Sequence, residues 1–493
     1  MKHISIKTGL VIITATCLFS LSCRKFLKEE VYTQYDPNVF LLNQSGVDAL
    51  LTGAYSAINI TGFNMRDIYS ILGEFPTDVA WETGGGLNAQ VVPIIQFNWD
   101  PNTGFFNGQY NNFYSAIARA NNVLSVSESL SGVSQETIDK IQAEAKFIRG
   151  FSYYMLHNFF GPTPIIEIPK GASLDEIEQI GKKTPRATEQ EYLAYVEKDL
   201  RFAADKLKAG GVSSRANKGN ALALLTKFYL NSKQWQKCAD AALEVMGMGY
   251  TLYPDYYNLF SVNGENNKEY IFRFECLLGS TQTNVYMPHT FPLNYRIQPN
   301  WINFGAKFRT YTAFYETYEP QDLRRTLFIT KYLEINKTDS TLLNRDLQGR
   351  PLNAVASFKY LPDPNAIGQD NGNDIPYIRL SDMMLSRAEA LNELSGPNQP
   401  AVDLIMQVRN RAKASPIALS NFATKDSLRS FILAERGREF VSEGLRREDL
   451  VRHGKFIQQA RDRNIPAKDY QVLYPLPRAQ LDNNPKLVQN AGY

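Results

Sequence analysis

Four histidines, four cysteines and four tryptophans in 493 residues leave little material for several kinds of chemistry. His3, His157, His289 and His453 stand apart, with no H-x-H or H-E-x-x-H pairing, so neither a histidine-built zinc centre nor a linear histidine-based catalytic motif is expected. Charge of either sign is scarcely in excess: 53 Lys and Arg against 50 Asp and Glu give a formal net charge of +3. The doublets Lys182-Lys183, Arg324-Arg325 and Arg446-Arg447 are not extended into runs. A cationic stripe that tracks a phosphate backbone is therefore missing, and nucleic acid is not an expected partner. Gly84-Gly85-Gly86 lacks the Lys-Ser/Thr that completes a phosphate loop, and Gly181-Lys182-Lys183-Thr184 lacks the upstream glycine. Both read as loops, and no cofactor and no metal is implied.

What is plentiful is aromatic surface, with 28 Phe and 27 Tyr on a nearly neutral chain. The N-terminus carries the first specific signal. Lys2, His3 and Lys7 precede an apolar run over residues 10–21, too short for the roughly 20 residues of a membrane-spanning helix but suited to a secretory h-region. Ser20, Leu21 and Ser22 followed by Cys23 read as a bacterial lipobox, with cleavage before Cys23 and acylation of its thiol. Cys17 is the rival, but it lies inside the apolar run. Loss of residues 1–22 removes Lys2 and Lys7 and no acid, leaving 51 basic against 50 acidic side chains, a net of +1. Membrane attachment would then be through lipid, and one acyl chain binds only marginally. Cys238 and Cys276 remain, either paired or as two buried free thiols.

The first half is patterned for helices. Val47, Leu50, Leu51, Ala54, Tyr55 and Ile58 recur at helical spacing, as do Tyr110, Phe113, Tyr114, Ile117, Asn121 and Leu124. Residues 137–160 form another such segment, stopped by Gly161-Pro162. Thr188 and Glu191 make a capping box for a helix whose stripe runs from Tyr192 to Leu207 before Gly210-Gly211. Residues 217–250 read as helix, turn, helix with the tetratricopeptide period, Leu225, Tyr229, Trp235 and Cys238 occupying the packing positions. A looser hairpin follows at 377–412, turning at Ser395-Gly396-Pro397. Such units bury their apolar faces only by stacking on neighbours. The fold expected is mostly α, stacked tetratricopeptide-like hairpins with a long loop-rich ligand-binding lobe and only short strands. The helical framework covers about 44–60, 110–160, 188–250 and 377–460, and the lobe about 62–108 and 251–375, with short strands at 271–274 and 353–360. Residues 23–493 form one domain in this reading.

In the last fifth, Ile432-Leu433-Ala434-Glu435-Arg436-Gly437-Arg438-Glu439-Phe440, then Glu443-Gly444-Leu445-Arg446-Arg447-Glu448-Asp449-Leu450-Val451-Arg452-His453-Gly454-Lys455, resembles the C-terminal signature of the SusD/RagB family of Bacteroidetes outer-membrane lipoproteins. Tyr474-Pro475-Leu476-Pro477 and Gln489-Asn490-Ala491-Gly492-Tyr493 are similar to that family's terminus. Blocks at 143–164 and 378–390 are similar to two further family segments, so the likeness runs from Cys23 to Tyr493. It implies a lipid-anchored, non-enzymatic protein of the outer membrane, displayed on the cell exterior. Such a protein captures a nutrient, commonly an oligosaccharide, and delivers it to a TonB-dependent outer-membrane barrel of the SusC type. Peptide or other non-sugar ligands also occur in the family. Lys28-Glu29-Glu30 looks like a surface-export signal, although Arg24 and Lys25 depart from the usual polar or acidic start.

Sugars offer apolar C–H faces and hydroxyl rims, so a site for them combines aromatic planes with Asn, Asp, Gln or Arg in a cleft. Two stretches supply both: Asp78, Trp81, Trp99 and Asn102 in the first, Tyr286, Tyr295, Arg296 and Trp301 in the second. The expectation is that Trp81, Trp99 and Trp301 approach one surface. Glu74, Asp78 and Glu82 beside Trp81 provide carboxylates for a glycosidase reading. Asp370, Asn371, Asn373 and Asp374 offer oxygens for calcium without the D-x-N-x-D-G order. A pure envelope scaffold is a third class, distinguished by indifference to loss of the loop tryptophans. The dense cluster of Glu435, Arg436, Glu439, Glu443, Arg446, Asp449 and Arg452 is expected to be a structural ion-pair network, since burial demands that such charges be paired.

Overall fold

The computed structural model describes residues 43–82, 86–169, 172–292, 295, 300–304, 307–333, 340–342 and 354–493. The signal segment, Cys23 and Arg296 lie outside the described residues. Helix α1 (Gln44–Ile58) begins at Asn43, whose side chain accepts from the Gly46 N–H. It packs on the hairpin of α2 (Gly104–Ser127) and α3 (Gln135–Phe160). Ser134 caps α3, and Gly161 ends it at φ 73°, in the left-handed region. Helix α4 (Glu189–Lys206) carries the expected Thr188/Glu191 capping box, which stabilises a helix start by about 1 kcal/mol.

Gly150 lets α3 and α4 touch: a Cβ there would stand 2.7 Å from Leu200 Cδ2. Beside that contact Arg149 grips Asp199 with Nε at 2.7 Å and Nη2 at 2.9 Å. Helices α5 (Lys218–Asn231) and α6 (Trp235–Met246) form the tetratricopeptide-like hairpin, α6 packing on α7 (Leu380–Ser395), which packs on α8 (Gln399–Arg411) and α9 (Lys425–Phe440). Each hairpin hides the apolar stripe of the one before it, as stacked repeats require. Cys238 on α6 and Cys276 are both free and buried, which settles the open choice between a bridge and two thiols. Among the described residues no helix is long and apolar enough to cross a membrane.

The strands are short: β1 (Ala80–Glu82), β2 (Tyr270–Phe274), β3 (Phe308–Tyr311), β4 (Phe328–Ile329), β5 (Lys331–Leu333), β6 (Ser340–Leu342), β7 (Ala354–Ser357) and β8 (Ile375–Arg379). The lobe between α6 and α7 is an insertion whose ends are clasped by antiparallel pairing of β2 with β8. Strand β8 runs straight into α7, Arg379 being its N-cap residue. The expected strands at 271–274 and 353–360 correspond to β2 and β7. The stretch 62–108, expected as loop, is largely otherwise. Its helical turns (Gly62–Met65, a π-helical Arg66–Leu72 and Asn88–Ile95) carry Ile68, Ile71, Leu72, Val91 and Ile94 into the core. Gly73 and Gly444 permit the crossing of this segment over the loop after α9, since a Cβ on Gly73 would lie 2.6 Å from the Gly444 carbonyl oxygen. Gly181, Lys182 and Lys183, read as a loop, end the helix Leu174–Lys183.

Helix α9 and α10 (Arg446–Arg452) present the signature charges inward. Arg436 binds Asp449 with Nε at 2.9 Å and Asp382 with Nη1 at 2.8 Å, and Arg452 takes Glu389 at 2.6 Å and Asp449 at 2.7 Å. Arg324 spans Asp322, Glu435 and Glu439, while Arg379 joins Glu269, Glu439 and Glu443. All these side chains are buried, and the network ties α7, α9, α10 and the lobe together. Guanidinium forks suit this geometry because each reaches two carboxylates at once.

Candidate functional site

Strand alternation builds the site. Across β1 and β3, Trp81 faces Arg309 and Glu82 faces Phe308; β3 continues onto β7, with Thr310 opposite Val355 and Tyr311 opposite Ala354, and β4 completes the sheet. Successive side chains point to opposite faces. Phe308 therefore turns into the core, stacked on His289 at 4.3 Å and edge-on to Phe75 at 4.8 Å. Burial pulls His289 down to about 3 and keeps it neutral. Trp81, Arg309 and Tyr311 share the other face. The rings of Trp81 and Tyr311 lie 5.9 Å apart and 9° from parallel. Arg463, beyond α10, donates from Nη1 to the Tyr311 hydroxyl at 2.9 Å, which sets the tilt of that ring.

A second aromatic group continues the surface. Phe291, buried, is stacked by Trp301 at 5.6 Å and by Tyr295 at 5.5 Å, and Tyr295 lies 6.0 Å from Tyr332 on β5. Arg309 joins the two groups: it sits opposite Trp81, and while burial lowers its pKa to about 10, the nearby Tyr332 opposes that shift. Trp81, Tyr311, Tyr332, Tyr295 and Trp301 are all half-buried. The indole nitrogens of Trp81 and Trp301 are turned away from solvent and have no acceptor among the described residues. Each indole thus presents carbon outward, and what faces solvent is an arc of ring faces and edges. Such surfaces match the C–H faces of pyranose rings better than they match ions.

The expected site residues divide. Trp81, Tyr295 and Trp301 belong to the arc. Trp99 does not, which corrects the expectation that three tryptophans share one surface. It is 6% exposed, wedged between Phe97 at 4.6 Å and Tyr474 at 5.2 Å, with its Nε1–H donated to the Tyr493 hydroxyl at 2.8 Å. The C-terminal segment takes the indole donor through Tyr493 and meets the ring edge-on with Tyr474, while Phe97 packs against it. Tyr286 is likewise buried, its hydroxyl donating to Ser442 at 2.6 Å. Asn102 is exposed on a turn, apart from the arc residues, and helps line a separate cleft of about 360 Å³ with Gln90, Pro93, Asn98, Asp100 and Phe105. Asp78 is gripped by Arg446 through two 2.7 Å bonds. Burial alone would raise its pKa, but the guanidinium holds it below the usual carboxylate value. Tyr311, Tyr332 and Arg463 were missed. Only the alternation in Phe308-Arg309-Thr310-Tyr311 hinted at the first, and nothing local tied any of them to Trp81.

The carboxylates near Trp81 do not form a solvent-facing acid–base pair. Glu74 and Glu82 are buried. Burial pushes Glu74 up to about 8 against the Gly444 N–H it accepts, and Asp78 is occupied by Arg446. The polar loop at 370–374 is also spoken for: Asp370 accepts from Thr283, and Asp374 holds Arg273 and the Cys276 N–H. Among the described residues no group of three or more His, Cys, Asp or Glu is placed to hold a metal ion.

A helical-repeat framework with an inserted lobe, whose aromatics and those of β1 form one face, defines the class of fold. Residues 232–493 match the family model described as the SusD family, and residues 25–230 match one described as starch-binding, associating with outer membrane. The first match alone takes in more than half of the chain: the protein belongs to the SusD family. Over 98% of its length it is 25% identical to "SusD-like protein P25" of Formosa agariphila, of which 99% is covered. Over 85% it is 23% identical to "Starch-binding protein SusD" of Bacteroides thetaiotaomicron, covering 84% of that chain. A solved structure described as "Laminarin binding SusD-like protein" superposes with a TM-score of 0.75 at 24% identity, covering 92% of this chain and all of the other.

Proposed function

We propose that this protein is a non-enzymatic, outer-membrane nutrient-binding lipoprotein. It is anchored through Cys23 and displayed outward, and it captures an oligosaccharide and passes it to a TonB-dependent barrel of the SusC type. The observation that carries the reading is the arc of half-buried Trp81, Tyr311, Tyr332, Tyr295 and Trp301, which turns carbon outward on a rigid scaffold. Family membership supports the role, and starch and laminarin are the ligands named for two similar proteins. Affinity electrophoresis of the purified protein on starch and laminarin gels tests the arc. Retardation on either is expected to be lost in a Trp81→Ala/Trp301→Ala double variant that keeps its circular dichroism spectrum. Unchanged retardation by that variant sinks the assignment of the site. Mild-detergent pull-down from the outer membrane should bring a barrel protein along, and failure of a Cys23→Ser chain to take up radiolabelled palmitate would confirm the anchor.

A further inference from the structure

Asn102, set apart from the arc, belongs to a second surface that the capture reading leaves unused. Its cleft of about 360 Å³ lies between the helix Asn88–Ile95 and the turn that leads into α2. Phe97 and Trp99 are buried while Asn98 and Asp100 are exposed, so the chain alternates here as a strand does. Phe97 sits at φ 54°, a left-handed conformation that bulky side chains rarely adopt. Backbone donors tie the frame together. The Asn98 N–H donates to the Pro93 carbonyl at 2.8 Å, the Asn102 N–H to Asp100 Oδ1 at 2.6 Å, and the Asp100 N–H to Thr103 Oγ1 at 3.2 Å. Space stays open beside Gly104, where a Cβ would meet nothing within 4 Å. The lining has two kinds of surface. Pro93, half-buried, and Phe105, 9% exposed, supply apolar carbon. Gln90, Asn98 and Asn102 are exposed amides; among the described residues their side chains make no hydrogen bond, and Asp100 makes no ion pair. No Lys, Arg or His lines the cleft, which argues against an anionic ligand, and a single carboxylate is too few for a metal ion. Amides that both donate and accept, next to apolar carbon, match the hydroxyls and C–H faces of an uncharged sugar. The volume is near the lower limit of small-ligand sites, roughly 300–1,000 Å³, which suits one ring rather than a chain.

We propose that this cleft is a second carbohydrate site, one that takes a single neutral pyranose unit, either a free sugar or the end of a chain. The ring meets Pro93 and Phe105, and the hydroxyl rim meets Gln90, Asn98, Asn102 and Asp100 Oδ2. Because the frame is already fixed, binding adds little ordering cost. So few contacts give an affinity on the order of millimolar, below what retardation on a polymer gel reads. The site goes beyond the capture reading and does not depend on the arc. Saturation-transfer NMR of the full chain tests it, with glucose, galactose and mannose as free sugars and as methyl glycosides that imitate a chain end. The background is Trp81→Ala/Trp301→Ala, which takes the arc out of the measurement. Transfer to at least one sugar should remain, and free sugar against glycoside tells the two sources apart, either one supporting the site. Adding Asn98→Ala/Asn102→Ala should weaken binding about tenfold through loss of two hydrogen bonds. Adding Ala89→Leu instead, which fills the cleft from an exposed helix position, should abolish it. With the arc intact, neither cleft change should alter retardation on starch or laminarin. Absence of transfer to every sugar in the arc variant, or transfer that survives both cleft changes, overturns the second site. Either result leaves the arc reading standing, because polymer retardation tests that reading by itself.

Discussion

The helical framework and the aromatic face treat the same residue types in opposite ways. In the framework, arginines and carboxylates are removed from water and every one described above is matched, Arg436 by Asp382 and Asp449, Arg452 by Glu389 and Asp449. On the face, the rings of Trp81, Tyr311, Tyr332, Tyr295 and Trp301 stay half-exposed. Tryptophan shows the same contrast. Trp99 gives its donor to the C-terminal tail and is packed between Phe97 and Tyr474, whereas Trp81 keeps carbon toward solvent. Buried charge must be paired because desolvation otherwise costs several kcal/mol per ion.

The sharpest way to break this contrast is Arg436→Leu. It leaves buried Asp382 with Lys227 alone and Asp449 with Arg452 alone, and should destabilise the fold by about 3–5 kcal/mol, measured by urea unfolding. A loss within about 0.5 kcal/mol would mean the network relaxes or admits water. Trp99→Ala should come next, at about 3–4 kcal/mol from lost packing. Trp81→Ala should cost about 1–2 kcal/mol, because its ring is only partly buried, and should abolish glycan retardation. If Trp99→Ala proved the cheaper of the two, the division of the tryptophans into core and face would be wrong.

The smallest effects expected are those of pH, and they run in two directions. Burial would raise Glu435, but Arg324, Arg438 and Arg409 bring it down to about 2, whereas an unfolded glutamate titrates near 4.5. The unfolded chain holds the extra proton in between, so stability is fully present above about pH 5 and is lost as pH falls through that window. Glu74 has the opposite sign. Burial lifts it to about 8, so between about 4.5 and 8 the folded state holds the proton and stability declines as pH rises. Glu74→Gln should flatten the alkaline part of a melting-temperature profile and leave the acid limb unchanged. An alkaline decline of undiminished slope in that variant would remove Glu74 as its cause.

Much of the framework was legible because its signals are local. The Thr188/Glu191 box, the stop at Gly161-Pro162 and the stripes of α1 to α6 depend on residues within a turn or two of each other. The C-terminal charges were legible as a network on energetic grounds alone, since so many guanidinium and carboxylate groups cannot be buried singly. The stretch 62–108, expected as loop, holds helical turns instead. Its Pro76 and glycines interrupt every periodic pattern, and burial there comes from distant segments such as the loop at Gly444.

The sequence by itself therefore determined the class of fold, the stacking of hairpins, the family and the demand that the charged signature be paired. Capping, period and charge density act over a few residues or by composition. Only the tertiary structure decided which aromatics face outward. Trp81 meets Tyr311 through a register between β1 and β3, Tyr295 meets Tyr332 across the inserted lobe, and Trp99 is withdrawn by a tail nearly four hundred residues away in the chain, |i−j| = 394 for its bond to Tyr493. Long-range pairings of that kind depend on how loops close over one another, and no local pattern encodes them.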